Sequence, residues 1–96
     1  MNNTNIIYID FTPLDCENLV SLYGCFSGCT NLKKIDFGNF NYIHTNSSNY
    51  IGECFKNCTA LTEIVCNQYI KNFITTNATT MSLTQEQLNK ITFTLK

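Results

Sequence analysis

The sequence predicts an α/β repeat fold: a short solenoid of about two and a half turns, with parallel strands, short helical turns and a C-terminal helical cap. Two observations carry this expectation. The first is internal repetition: Cys25-Phe26-Ser27-Gly28-Cys29-Thr30-Asn31-Leu32 returns 29 residues later as Cys54-Phe55-Lys56-Asn57-Cys58-Thr59-Ala60-Leu61. Self-similarity at a period of about 20 to 50 residues marks a chain whose units bury their apolar faces against one another. The second is the alternation that follows each copy. In Lys34-Ile35-Asp36-Phe37 and Glu63-Ile64-Val65-Cys66, inward apolar positions alternate with outward ones, the period of a strand with one buried face.

An earlier copy extends the pattern. Ile6, Ile9, Asp10, Phe11 and Leu14 stand 26 residues before Leu32, Ile35, Asp36, Phe37 and Phe40. Stacked in parallel, the strands place Ile9, Ile35 and Ile64 in one row, about 4.8 Å apart per step. The units run over residues 6–31 and 32–60, with a partial third at 61–74 that lacks its own Cys-Phe-x-x-Cys. The three extra residues of the second unit fall between Phe40 and Ile51, in an Asn/Ser-rich stretch that reads as an exposed loop and carries Tyr42 and His44.

These residues resemble one turn of the BspA-like leucine-rich repeats. The resemblance runs from Ile9-Asp10-Phe11 to Cys25-Phe26-Ser27-Gly28-Cys29 and covers roughly residues 6–70. Its nearest form is the repeat of bacterial surface lipoproteins, in which Ile-Asp-Leu-Ser leads to Met-Phe-x-x-Cys-x-x-Leu. Cys25 and Cys54 stand where that pattern carries Met, and its Asp-Thr-Ser-Asn run is largely absent. The resemblance implies a leucine-rich-repeat-like solenoid and a binding or adhesive role, without naming a ligand.

A chain of 96 residues allows one small domain. Solenoid units touch only their neighbours, so the ends need covering. Residues 1–5 form a polar tail too short to shield much, and residues 75–96 read as a loop followed by a cap or arm. Within the latter, Ser82 with Gln85, or Thr84 with Gln87, is placed to start a helix through Ile91. Thr92-Phe93-Thr94-Leu95 alternates like a strand that finishes the sheet or pairs elsewhere.

Six Lys balance seven acids, for a net charge of −1, and there is no Arg. Without Arg forks or a basic cluster, nucleic acid is not an expected partner. No apolar run reaches membrane-spanning length, and residues 1–20 show no basic region leading into a long apolar core. The expected location is therefore the cytoplasm, or a cell surface or virion if a larger assembly carries the chain out.

Cys25, Cys29, Cys54 and Cys58 invite three readings. Buried reduced thiols fit best, because Cys packs as a small hydrophobe at repeat-equivalent positions. Disulfides between stacked units come next, and a zinc site third, since its ligands would have to leave the core. No cofactor is expected. Catalysis is not expected either: His44 is the sole histidine and sits in the loop, and no thiol has an evident activating partner. Asp10 and Asp36 are equivalent outward residues, read as solvated charges relieved by Lys34. The four glycines read as turn residues, with no phosphate-binding loop among them. The Asn-x-Ser/Thr sites at Asn2, Asn46, Asn57 and Asn77 carry little weight in a chain so rich in Asn and Thr.

The function class expected first is a noncatalytic protein-interaction or adhesion module whose partner is a protein or host-surface ligand. Its contact face would be Tyr8, Asp10, Lys34, Asp36 and Glu63, helped by Tyr42 and His44. The alternative is a structural subunit of a virus particle or fibre, self-associating through the solenoid ends. A zinc-stabilised or thiol-redox domain is a weaker third.

Overall fold

The structure is a computed structural model that describes residues 5–11, 24–38 and 48–96. Its centre is a four-stranded, all-parallel sheet in the order β1-β2-β3-β4. The strands are β1 (Tyr8–Asp10), β2 (Lys34–Asp36), β3 (Glu63–Cys66) and β4 (Thr92–Leu95). Among the described residues three helical segments accompany them: a single turn α1 (Ser48–Ile51), then α2 (Gln68–Thr76) and α3 (Gln85–Lys90). The inserted loop, with Tyr42 and His44, lies outside the described residues except at its end, where α1 begins.

The sheet register follows the expected steps. Ile9 pairs with Ile35, Ile35 with Ile64 and Ile64 with Phe93. The 29-residue step therefore continues into a fourth strand. The C-terminal alternation finishes this sheet rather than pairing elsewhere, and Ile64 gains a strand on each side. Ile35 and Ile64 are both fully buried while Ile9 is half-buried, so the interior of the row holds two isoleucines.

Opposite the sheet, the Cys-Phe turns stack in the same register. The Gly24, Phe26 and Gly28 N–H groups donate to the carbonyls of Gly52, Cys54 and Lys56 at 3.0, 3.0 and 2.9 Å. The third pass reaches the same place without the motif: Glu53 N–H donates to Thr80 O at 3.2 Å and Phe55 N–H to Met81 O at 2.9 Å. What the turn demands of the backbone is a left-handed residue, and Gly28, Asn57 and Ser82 supply it with φ of 76°, 64° and 63°. Cys29, Cys58 and Leu83 each follow that residue and each turn inward as buried side chains.

Between sheet and turns lies the core. Phe11 stacks on Phe37 at 5.7 Å between ring centroids, and Phe26 stacks on Phe55 at 5.4 Å. The two stacks meet edge to face, Phe26 against Phe11 at 5.9 Å and against Phe37 at 6.4 Å. Such geometries satisfy the ring quadrupole and add to the hydrophobic gain.

The helices close the C-terminal part. Asn67 caps α2 by accepting from Ile70 N–H at 2.8 Å, and Ile70 and Ile74 on one face enter the core. α2 extends through Thr76, into the stretch expected to be a loop. Of the two expected starts for α3, the structure uses Thr84: its hydroxyl accepts from Gln87 N–H at 3.1 Å, and Gln87 Oε1 accepts from Thr84 N–H at 2.8 Å, a full capping box.

Candidate functional site

Alternation along each strand sends every second side chain away from the core. Register then lines these outward residues up in two rows across the sheet. One row runs Tyr8, Lys34, Glu63, Thr92 and the other Asp10, Asp36, Val65, Thr94. Five of the residues expected to form a contact face, namely Tyr8, Asp10, Lys34, Asp36 and Glu63, therefore share one surface. Tyr42 and His44 lie outside the described residues.

Interactions on this face run from strand to strand. The Lys34 ammonium lies 5.5 Å from the Tyr8 ring centroid and 3.8 Å from Glu63 Oε1. The Thr94 hydroxyl donates to Glu63 Oε2 at 3.0 Å. Lys96 Nζ reaches past β3 to donate to Asp36 Oδ1 at 3.0 Å, an oxygen that also accepts from Gly38 N–H at 2.7 Å. The cation that serves Asp36 is thus Lys96, while Lys34 serves Glu63. The charge relief expected from Lys34 comes to Asp36 from Lys96 instead. The face carries both signs, Lys34 and Lys96 among Asp10, Asp36 and Glu63, and Tyr8 on it is 49 % exposed.

The thiols are placed differently. Cys29, Cys54, Cys58 and Cys66 are buried, Cys25 is half-buried, and none of the five is in a disulfide; Cys16 lies outside the described residues. Burial pushes the Cys58 thiol up to about 12, against a smaller lowering from a backbone hydrogen bond, and pushes Cys66 up to about 11. Burial also raises Cys25, and raises Cys54 well above the ordinary thiol range with the neighbouring Cys25 and Cys58 adding to it. Thiols of this kind are protonated at neutral pH and are poor nucleophiles and poor metal ligands. Among the described residues no three His, Cys, Asp or Glu side chains converge as metal ligands.

Two open clefts flank the C-terminal helices. One, of about 500 Å³, lies between the end of α2 and the start of α3 and is lined by Thr75, Thr76, Thr79, Ser82 and Thr84 together with apolar Leu83 and Leu88. The other, of about 290 Å³, shares Ser82 and Thr84 and adds Lys56, Glu86 and Lys90. Lys90 and Glu86 face each other at 4.0 Å as an exposed surface pair. Among the described residues no helix is long and apolar enough to cross a membrane.

Comparison with protein-family models, with curated proteins and with solved structures gives no match for this chain.

Proposed function

We propose that this chain is a noncatalytic protein-interaction module of BspA-like leucine-rich-repeat type, a short solenoid whose outward sheet face meets the partner. The observation that carries the reading is the cross-strand network of Tyr8, Lys34, Glu63 and Thr94, held by the cation–π contact, the ion pair and the hydroxyl bond. Its members come from every strand, so the surface exists only once the turns have stacked. A partner meets side chains already ordered, which lowers the entropy lost on binding. The adhesive form of this role takes a protein or host-surface ligand with complementary charge.

The test is selection of binders from a displayed random-peptide library, followed by titration against Lys34→Glu and, as a control at a distant surface, Lys90→Glu. The proposal predicts that selected peptides lose about tenfold or more in affinity, ~1.4 kcal/mol, with Lys34→Glu and little with Lys90→Glu. Peptides that ignore Lys34→Glu would remove the sheet face as the binding surface.

A second reading, a structural subunit stacked end to end, draws on a specific feature. β1 and β4 are the two outer strands of the sheet; Ile7, just before β1, and Leu95, the last residue of β4, are 57 % and 47 % exposed. Outer strands with apolar neighbours favour pairing with another chain. Self-association in dilute solution would favour this reading over the first.

A further inference from the structure

We propose that Cys25 and Cys54 are a thiol-modification site, joined by a reversible disulfide that ties one Cys-Phe turn to the next. The hydrogen bonds from Gly24 N–H to Gly52 O and from Phe26 N–H to Cys54 O, both 3.0 Å, bracket the pair and set Cys25 directly beside Cys54. The next residues in each copy, Phe26 and Phe55, stack at 5.4 Å, which confirms the one-step offset. Adjacent backbones at that spacing, about 5 Å, fall inside the ~4.4–6.8 Å window for Cα atoms joined by a disulfide. Access selects this pair over its neighbour. Cys29 and Cys58 have the same offset but are both fully buried, and the Cys58 thiol donates to Phe26 O at 2.9 Å. Cys66 sits in register with Leu95 and has no cysteine beside it on that strand. Among the described cysteines only Cys25 is open enough for an oxidant to enter.

The oxidant class is a small disulfide such as oxidised glutathione. The Cys25 thiolate attacks one glutathione sulfur, forming a mixed disulfide and releasing one glutathione thiolate. Cys54 then gives its proton to solvent base and attacks Cys25 Sγ, breaking the mixed disulfide and releasing the second glutathione. Two protein thiols are oxidised, one glutathione disulfide is reduced to two thiols, and the two protons end on the released glutathione. The raised pKa of both cysteines makes the reaction slow at neutral pH and faster as pH rises. The site stands independently of the binding face, which lies on the other side of the core.

The experiment treats the folded, reduced chain with oxidised glutathione at mildly alkaline pH, quenches with an alkylating agent and maps the peptides. The expected result is loss of two of the six thiols, a Cys25–Cys54 linked peptide on monomeric protein, and reversal by dithiothreitol. Because the bond closes a loop of some thirty residues, Tm should rise by roughly 15–20 °C. Cys25→Ser, at the half-buried position, should abolish the linkage, and Cys54→Ala should leave glutathione on Cys25. Retention of all six thiols, a link from Cys25 to Cys16 or to a second chain, or loss of two thiols in Cys25→Ser would each overturn the proposal.

Discussion

Lys96 Nζ donates to Asp36 Oδ1 at 3.0 Å, across 60 residues of sequence and two strand spacings of the sheet. The bond ties β4 to β2 over the top of β3. Asp36 is the better shielded partner, its side chain 20 % exposed against 41 % for Lys96. The same oxygen also holds the Gly38 N–H, so the two ends of the bond are unequal. Lys96→Ala should cost ~0.5–1 kcal/mol, and the loss should shrink with added salt. Asp36→Ala should cost ~1–2 kcal/mol, because a backbone donor loses its acceptor as well. Urea denaturation of both single variants and the double variant, at low and high salt, separates the two contributions.

The row of isoleucines makes a graded prediction. Ile35→Ala and Ile64→Ala should each cost ~2–5 kcal/mol, since both sit fully buried between two strands. Ile9→Ala, at the half-buried outer strand, should cost clearly less. Equal losses at all three positions in denaturant titrations would contradict the strand order.

At the aromatic centre, Phe26 touches Phe11, Phe37 and Phe55. Phe26→Ala should therefore cost ~3–5 kcal/mol and leave the chain largely unfolded, while Phe26→Leu should retain the fold at reduced Tm. Circular dichroism melting distinguishes the two.

The capping box at α3 predicts a smaller effect. Thr84→Ala should cost about 1 kcal/mol, and Thr84→Ser much less, because only the hydroxyl is used. Hydrogen exchange should show the loss concentrated in α3 and β4 if the two open as one local unit.

Alkaline pH should unfold the protein early. The Cys58 thiol titrates at about 12 and Cys66 at about 11 in the folded chain, against an ordinary value of 9.0. The unfolded chain thus gives up these protons first, and folding stability falls as pH rises from about 9 toward 12. The contribution is fully present below pH 9 and does not change toward neutrality. Denaturant midpoints under reducing conditions should stay level from neutral pH to about 8 and then decline; midpoints that rise above pH 9 would reverse the sign of the account.

Much of the sheet was legible in the sequence because its cause is local. Ile9, Ile35 and Ile64 recur at fixed steps with outward neighbours between them, and period-two alternation leaves one register that buries them together. The face built from Tyr8, Lys34, Glu63, Asp10 and Asp36 follows from that register alone. The third turn was hidden because its motif is gone while its backbone requirement remains. Ser82 fills the left-handed place of Gly28 and Asn57, and Thr80 and Met81 accept the inter-turn hydrogen bonds without a Cys-Phe signature. α2 was hidden by the repeat itself, since a template with short turns leaves no room for nine residues of helix; the Asn67 cap and the inward pair Ile70 and Ile74 were the available signal. The Lys96–Asp36 bond had no local signature, being set by where β4 docks.

Light scattering coupled to size exclusion, on reduced protein over a wide dilution series, addresses the central claim of a self-sufficient interaction module most directly. The account predicts a folded monomer at every concentration, with the sheet face free to meet a partner. A defined oligomer, or a chain that unfolds on dilution, would contradict it and place the function in end-to-end assembly.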